Sequence, residues 1–371
     1  MNYMKKKFDP MVKVPQEILE AFTNYTPGLP KHSAGKMTVE PMTGGLINRT
    51  FKVTCQLRSP FLLQQINTKV FTNPEEVQSN YILLSQYAEF EFTGQRMPWP
   101  IYLNEKETLF VDAENNYWRA FEFIGNAISV NNATKAAQAK AAAKTFAKFT
   151  SAFDEFNVDL LKETIPGFHN LSLRYKQFED ALQTELYERM AKALPMIEQL
   201  KQRERYKHFY EIITESDEFP KRVMHHDAKI ANVLFSRLTG KVICPVDFDT
   251  VMPGYFFSDI GDMIRSMTCR PDENSLDYAG ISIRKSFYNA IVEGYLAVLG
   301  KQLTDSEKKY IHYSGLLIIY MQSLRFLTDY LNGDVYYKID YPEQNFDRAR
   351  NQLTLLQSLE EFLIVNYNFK M

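Results

Sequence analysis

Residues 225–232 of the chain read HHDAKIAN, and residues 246–249 read VDFD. Phosphoryl transfer from a nucleotide needs an Asp that orients the attacking hydroxyl and accepts its proton. It also needs an Asn and a second Asp that hold the metal ion on the phosphates. The first stretch supplies Asp227 and Asn232, and the second supplies Asp247. We therefore take Asp227 as the candidate catalytic base, and Asn232 and Asp247 as candidate ligands of Mg²⁺.

The segment between the two stretches predicts a β-hairpin. Within residues 233–246, two short apolar runs flank the turn residues at 239–240. If those two residues form the loop, Asn232 faces Asp247 with Cβ atoms about 5 Å apart, and both can reach one ion at about 2.1 Å. A four-residue loop would shift the pairing by two and keep both side chains on one face. Pro245 lacks an amide hydrogen, which predicts an edge strand or a bulge.

A plain hairpin with solvated polar ends is the alternative, because short motifs recur by chance. Protein kinases, however, carry an HxD triplet, an Asn five residues after that Asp, and then a DFG triplet, and this spacing favours a kinase-type site. Lys229 should lie on the same side of the loop as Asp227, where it can neutralise the transferring phosphoryl group; a solvated lysine is the alternative. Asp249 can approach the metal through water, bind a substrate hydroxyl, or serve the structure. We expect His225 to pack and hydrogen-bond.

The amino-acid composition restricts the class of protein to which the chain can belong. The 371 residues are 45% hydrophobic and include 27 Phe and 22 Tyr, which predicts large packed cores and room for two lobes. The net charge of −2 favours neither nucleic acid nor an anionic membrane as a partner. Three scattered cysteines predict reduced thiols rather than disulfides or a zinc site. With no apolar secretory signal and no apolar run of membrane-spanning length, a cytoplasmic protein is expected.

The order of predicted elements indicates an α+β fold with two lobes. Residues 1–124 read as a helix, a strand, a glycine turn, two strands, a helix and two more strands, which predicts a small antiparallel nucleotide-binding lobe. Its second helix should have Asn73 as the cap, Pro74 at the first position and acidic residues in the first turn, and run to about Phe90. Residues 125–371 are helix-rich, with the hairpin inserted, and predict the catalytic and substrate-binding lobe. Phe146, Phe149 and Phe153 share one face of a predicted helix over residues 133–153 and are expected in the core.

Further motifs extend over most of the chain. They are GLINRTF at 45–51, FLLQQIN at 61–67, WRAFEFI at 118–124, IPGFH at 165–169, DIGDMIR at 259–265 and RFLTDYLNGD at 325–334. Together with the 225–232 loop, they resemble the aminoglycoside phosphotransferase and choline kinase superfamily, and within it the bacterial N-acetylhexosamine 1-kinase group. The resemblance implies a bilobal kinase-like fold, ATP as co-substrate with Mg²⁺, and a neutral N-acetylhexosamine phosphorylated on its anomeric hydroxyl.

The resemblance also directs attention to candidate binding residues. The nucleotide-binding candidates are Gly44, Gly45, Asn48, Gln64, Gln65, Glu122, Phe123 and Ile124, of which the last three would bind adenine through their backbone. The substrate-binding candidates are Leu46, Asp249, Arg265 and Arg325, with buried structural ion pairs as the alternative for the two arginines. The resemblance implies a bracing role for Asp259, which would accept backbone N–H bonds from the catalytic loop.

Two positions depart from the family pattern. Related kinases carry Lys or Arg on the third strand to hold the phosphates, whereas this chain has Gln64 and Gln65, whose amides lack charge assistance. Asn80 stands where the helix would supply the partner Glu, so a neutral pair would replace the usual ion pair. Leu46 stands where the sugar-kinase group has His, which predicts weaker discrimination between the gluco and galacto epimers.

Two other functions remain open from the sequence. The first is a kinase of another sugar, an amino alcohol or an aminoglycoside. Residues 281–350 contain nine Lys and Arg against eight Asp and Glu, and this balance favours a neutral substrate over a polycation. The second is a nucleotide-binding pseudokinase that acts as a regulator. The absent strand lysine favours it, whereas the complete set of Asp227, Asn232 and Asp247 disfavours it.

Overall fold

The structure is a computed structural model that describes residues 14–26, 37–42, 47–56, 58–91, 94–183 and 186–371. The described chain divides into two compact units. The smaller unit holds the described residues up to Glu91 together with Arg96–Asn126, and the larger one holds Ala127–Met371 with the residues just before Arg96. The smaller unit is built on an antiparallel sheet and the larger one is mainly helical, which confirms the predicted α+β class.

The smaller unit contains a six-stranded sheet and two described helices. Its elements in chain order are α1 Gln16–Tyr25, β1 Thr38–Pro41, β2 Arg49–Cys55, β3 Arg58–Gln65, α2 Pro74–Phe90, β4 Pro100–Ile101, β5 Phe110–Val111 and β6 Tyr117–Glu122. The strands follow the order β1-β2-β3-β6-β4, β5 pairs with β6, and neighbouring strands are antiparallel. Helix α2 begins at Pro74 and ends at Phe90, as the sequence predicted.

Alternation along β3 separates the two faces of this sheet. Phe61 and Leu63 are buried in one cluster with α1, whose Phe22 stacks on Phe61 with ring centroids 6.3 Å apart. Because successive side chains of a strand point to opposite faces, Gln64 projects away from the α1 face and Gln65 towards it. The strand thus presents two adjacent amides in opposite directions.

The larger unit combines long helices with short antiparallel strand pairs. Its elements are β7 Ala127–Ile128, α3 Ala136–Ala152, α4 Leu171–Ala181, α5 Tyr187–Lys201, α6 Arg205–Glu215, β8 Arg222–Met224, β9 Val233–Ser236, β10 Val242–Pro245, β11 Met252–Gly254, α7 Phe257–Met267, α8 Lys285–Leu299, α9 Asp305–Lys309, α10 Tyr313–Leu331 and α11 Gln344–Tyr367. One sheet has the order β10-β9-β7, and β8 pairs with β11.

Helices α3, α7, α8 and α10 form the core that carries the strand pairs. The alanine-rich α3 lets α8 approach closely: a Cβ added to Gly294 would lie 2.8 Å from the carbonyl oxygen of Lys140. Phe146, Phe149 and Phe153 are buried, as their spacing predicted. Among the described residues, no helix is both long and apolar enough to cross a membrane.

Candidate active site

The hairpin of β9 and β10 forms with a register different from the expected one. The amide of Val246 donates to the carbonyl of Asn232 at 2.9 Å, and a bulge lies between Val242 and Cys244. Ser236 pairs with Lys241, so the loop has four residues and shifts the pairing by two, as the alternative considered. The bulge then shifts it back by one, so Asn232 lies opposite Val246 and the predicted Asn232–Asp247 pairing is wrong. Asp247 instead follows the strand in a left-handed conformation, with φ of 68°. The prediction that the strand lies at an edge or carries a bulge is confirmed.

Asp227 is held by two neighbouring side chains. Its Oδ2 accepts hydrogen bonds from Lys229 Nζ at 2.7 Å and from Asn232 Nδ2 at 2.9 Å, and Asn232 Nδ2 also lies 2.9 Å from the carbonyl of Asp227. Burial acts to raise the pKa of Asp227, but the charge of Lys229 and the hydrogen bonds from Lys229 and Asn232 together hold the pKa below its usual value. Burial likewise acts to lower the pKa of Lys229, and the charge of Asp227 raises it above its usual value. The pair is therefore ionised at neutral pH.

The side chains that would hold a divalent cation gather around the same pair. Both hydrogen bonds of Asn232 use its nitrogen, so its amide oxygen is the atom available to a metal. The charge of Asp247 also raises the pKa of Lys229, which places that carboxylate close by. The described residues contain no cluster of three or more His, Cys, Asp or Glu suited to a metal. Mg²⁺ at nucleotide sites needs only one or two protein carboxylates besides phosphate oxygens, so Asn232 and Asp247 fit it.

Asp259, in the first turn of α7, braces the catalytic loop. Its Oδ2 accepts the amide hydrogen of His225 at 3.0 Å, and its Oδ1 accepts that of His226 at 2.7 Å. The hydroxyl of Thr250 donates to the carbonyl of His225 at 2.7 Å and ties the two loops together. Burial raises the pKa of Asp259 to about 7, although the two amides act to lower it. The bracing role implied by the family resemblance is confirmed.

His225 is a packing residue, as expected. Its ring lies edge-on to that of Phe146 with centroids 5.0 Å apart, and its Nε2 lies 3.0 Å from the carbonyl oxygen of Val246. Burial lowers the pKa of His225 to about 4, so the ring is neutral at pH 7.

His226 adopts a left-handed conformation, with φ of 64°, and packs in a confined space. Its Nδ1 lies 3.2 Å from Nδ1 of His169, so one ring donates and the other accepts. A Cβ added to Gly254 would lie 2.5 Å from the His226 ring. The glycine is thus required by the close approach of β11 to this ring.

The two substrate-binding arginines have different surroundings. Arg265 forms ion pairs with Asp262 at 2.9 Å and Glu273 at 2.8 Å, which is the structural alternative considered for it. Arg325 instead lies over the rings of Phe168, at 5.3 Å, and Tyr337, at 5.6 Å.

Other predicted residues fall at varied places. Asp249 lies in the 3₁₀ turn Phe248–Thr250 and is 3% exposed. The side-chain oxygen of Asn48 accepts the amide hydrogen of Asn67 at 2.9 Å. The amide of Glu122 donates to the carbonyl oxygen of Trp99 at 2.9 Å, and Glu122 pairs with Phe61 of β3. Gly44, Gly45 and Leu46 lie outside the described residues.

The sequence analysis missed Arg119. This arginine of β6 lies directly opposite Gln64, and its Nε and Nη2 donate to Gln64 Oε1 at 2.8 and 2.6 Å. Gln65 instead accepts from Arg49 at 2.7 Å, on the other face. The signal was present in the WRAFEFI stretch, but only the strand register identifies the glutamine that Arg119 meets.

The sequence also matches a known protein family. A model of the phosphotransferase enzyme family, APH, matches residues 38–298, well over half of the chain. The chain therefore belongs to this family, and it is a small-molecule phosphotransferase of the APH and choline kinase type. Membership implies ATP as co-substrate and typically a divalent cation.

Solved structures share the fold at low identity. Plasmodium vivax ethanolamine kinase has a TM-score of 0.58 at 15% identity, with 96% of this chain and 94% of that chain covered. Cryptosporidium parvum Iowa II choline kinase has a TM-score of 0.56 at 16% identity, with 95% and 99% covered. The amicoumacin kinase hAmiN, solved with AMP-PNP, Ca²⁺ and Ami, has a TM-score of 0.55 at 13% identity, with 92% and 93% covered. These similarities confirm the kinase-like fold.

Proposed function

We propose that this enzyme transfers the γ-phosphoryl group of ATP to the anomeric hydroxyl of an N-acetylhexosamine and releases the 1-phosphate. The observation that carries the proposal is a pocket of about 390 Å³ in the larger unit. Arg325, Tyr336, Tyr337 and Thr328 are among its lining residues. Aromatic faces beside a few hydrogen-bonding groups suit the alternating apolar and hydroxylated surfaces of a sugar.

A continuous series of contacts joins this pocket to the catalytic loop. Arg325 lies over the ring of Phe168, which stacks on His169 with centroids 4.7 Å apart. His169 in turn meets His226, the residue before Asp227. These contacts connect the pocket to the loop that carries the candidate base.

The charges of the pocket favour a neutral acceptor over a cationic one. Arg174 and Arg325 both line it, and their mutual repulsion contributes, after burial, to lowering the pKa of Arg174 to about 10. The carboxylates at the pocket are already engaged: Asp180 pairs with Lys176, and Asp329 accepts the amide hydrogens of Tyr336 and Tyr337. An amino alcohol or an aminoglycoside would bring its ammonium groups towards two guanidinium groups, which is unfavourable.

In this proposal only four side chains of the catalytic loop and the hairpin act in the transfer. Asp227 orients the anomeric hydroxyl and accepts its proton as the oxygen attacks the γ-phosphorus and the bond to the β-phosphate oxygen breaks. An anomeric hydroxyl is more acidic than an ordinary alcohol, so a carboxylate suffices as the base. Lys229 keeps Asp227 ionised and offsets negative charge on the phosphoryl group. Bound Mg²⁺, held by Asn232 and Asp247, would neutralise phosphate charge.

The smaller unit would hold the nucleotide. In this proposal the backbone from Glu122 to Ile124 binds adenine, and Gly44, Gly45, Asn48 and Gln64 bind the phosphates. Gln65 is left out of the nucleotide site because it projects to the opposite face of β3 and bonds to Arg49. Asp249 and Arg325 would contribute to the acceptor site, whereas the ion pairs of Arg265 give it a structural role.

Turnover of ATP with Mg²⁺ should be measured against N-acetylglucosamine, N-acetylgalactosamine, glucose, galactose, ethanolamine, choline and an aminoglycoside. We expect the two N-acetylhexosamines to be the best acceptors. Phosphorus NMR of the product should show coupling to the anomeric proton, and mild acid should release the phosphate. Coupling to the protons on C6, or turnover with an amino alcohol alone, would overturn the proposal. Nucleotide binding without turnover of any acceptor would favour the regulatory pseudokinase instead.

A further inference from the structure

Arg119 is a buried cation in the middle of the smaller unit's sheet, and it is 1% exposed. Two of its nitrogens donate to the same oxygen of Gln64, and its guanidinium lies over the ring of Phe121 at 4.9 Å. Arginine presents its donors in a rigid fork, so these contacts fix the orientation of the glutamine amide. Burying a guanidinium group carries a large desolvation penalty, so a residue that only had to fill this space would be more favourable if it were apolar.

The orientation of Gln64 determines which atoms it can offer to a ligand. Because both arginine bonds end on Oε1, the amide cannot exchange its oxygen and nitrogen without losing them. Its Nε2 lies 2.8 Å from the hydroxyl oxygen of Thr50, and this bond uses one of two amide hydrogens. Among the described contacts of Gln64, the second amide hydrogen is left for a ligand. Unlike Arg119, Gln64 is only partly buried.

We propose that Arg119 is a positioning residue for the nucleotide phosphates and acts through Gln64. The cation draws electron density from the amide oxygen, which strengthens the N–H donor at the other end of the same amide. The positive charge that related kinases carry on the third strand is thereby supplied from the neighbouring strand. The inference rests on the proposed nucleotide site but is independent of which acceptor is phosphorylated.

Gln65 provides a matched comparison within the same strand. It projects to the opposite face and is bonded to Arg49, whose side chain is 57% exposed. Only Gln64 has a buried cation behind it. The two glutamines are thus expected to differ sharply in their effect on phosphate binding.

Gln64→Glu is the decisive substitution, because a carboxylate of the same shape preserves both contacts with Arg119 but has no N–H to donate. Gln65→Glu adds the same charge on the other face. Dissociation constants for Mg²⁺·ATP, ADP and adenosine should be measured by calorimetry without an acceptor. We expect Gln64→Glu to weaken ATP and ADP binding about 10- to 100-fold and leave adenosine within about twofold. Gln65→Glu should change all three by less than about threefold.

Arg119→Met and Gln64→Met test the coupling between the two residues. If Arg119 acts through Gln64, the double variant should bind ATP little worse than the weaker-binding single variant. Equal losses for ATP and adenosine, equal effects of the two Glu variants, or unchanged ATP affinity in Gln64→Glu would overturn the proposal. If Arg119→Met fails to fold, the Gln64→Glu comparison alone decides. Failure of every sugar in the acceptor panel would overturn the assigned acceptor and leave these nucleotide titrations unaffected.

Discussion

Nζ of Lys229 lies 2.7 Å from Oδ2 of Asp227, the oxygen that also accepts a hydrogen bond from Asn232. One carboxylate oxygen is therefore committed to fixing the side chain, and Oδ1 is the oxygen that can face an acceptor hydroxyl. The ammonium group keeps the carboxylate ionised, and the amide limits its rotation. Oδ2 thus holds the side chain in position, and Oδ1 is left to accept the proton of the acceptor.

Replacement of Asp227 by Asn should remove the base while preserving the shape of the loop. We expect kcat to fall about a hundredfold or more, the size typical of lost general-base catalysis, with the Kd for ATP nearly unchanged. Initial rates and nucleotide titrations measure the two effects separately. Turnover close to that of the wild type would remove Asp227 from the mechanism.

Replacement of Lys229 by Met should change the pH dependence of the rate. Because the charge of Lys229 lowers the pKa of Asp227, its removal should raise that pKa. The base works only when deprotonated, so the acidic limb of the kcat/KM profile should shift to higher pH. Lys241→Met, at an exposed position of the hairpin loop, is the control and should leave the profile in place. A profile for Lys229→Met that superimposes on that of the wild type would show that the ion pair does not tune the base.

Replacement of Asn232 and Asp247 by Ala, singly and together, tests whether they bind one metal ion. We expect both single variants to weaken Mg²⁺·ATP binding and the double variant to lose less than the sum, because ligands of one ion are coupled. The Kd should be measured across a range of Mg²⁺ concentrations. Strictly additive losses would argue against a shared ion.

Local patterns in the sequence predicted most of the fold. The start of α2 could be predicted because Pro at the first helical position, followed by acidic residues, strongly favours the beginning of a helix. The burial of the α3 phenylalanines could be predicted from their helical spacing. The very short strands β8 and β11 were missed, because three residues carry too little periodicity. They form by tertiary pairing, which also requires Gly254 next to His226.

For the site, the identity of residues was more predictable than their geometry. Asp227, Lys229 and Asn232 do meet, because a loop motif only eight residues long constrains them locally. The predicted Asn232–Asp247 pairing was wrong because Pro245 indicated an edge strand or a bulge but did not specify the loop length or the position of the bulge, which together set the register. Arg119 was missed for a related reason: its contact with Gln64 depends on how two strands distant in sequence align.

Replacement of Arg325 by Met should impair the acceptor and not the nucleotide. Arg325 lines the 390 Å³ pocket and lies over three aromatic rings, two of which, Tyr336 and Tyr337, line it as well. Its loss should therefore raise the KM for the acceptor about tenfold or more. The KM for ATP should stay within about twofold. Arg348→Met is the matched control, since that arginine also lies over an aromatic ring, Phe326, but does not line the pocket. Equal effects of the two variants would remove Arg325 from the acceptor site.

Replacement of His226 by Asn should change how stability depends on pH. Burial lowers the pKa of His226 to about 4 from 6.5, so between these values the unfolded chain binds a proton that the folded chain does not. Above pH 6.5 the buried His226 does not lower the free energy of unfolding of the wild type. Below pH 6.5 it lowers this free energy progressively as the pH falls towards 4. Asn accepts the left-handed backbone at this position and cannot titrate.

The free energy of unfolding of both proteins should be measured in urea between pH 7.5 and 4.5. At neutral pH the variant should be less stable, because it loses the packing of the His226 ring against His169 and Gly254. The advantage of the wild type should shrink by about 1.4 kcal/mol for each pH unit below 6.5, which amounts to about 3 kcal/mol at pH 4.5. His208→Asn, at a side chain that is 61% exposed, should track the wild type at every pH. A constant difference between the His226 variant and the wild type would show that the buried ring does not resist protonation.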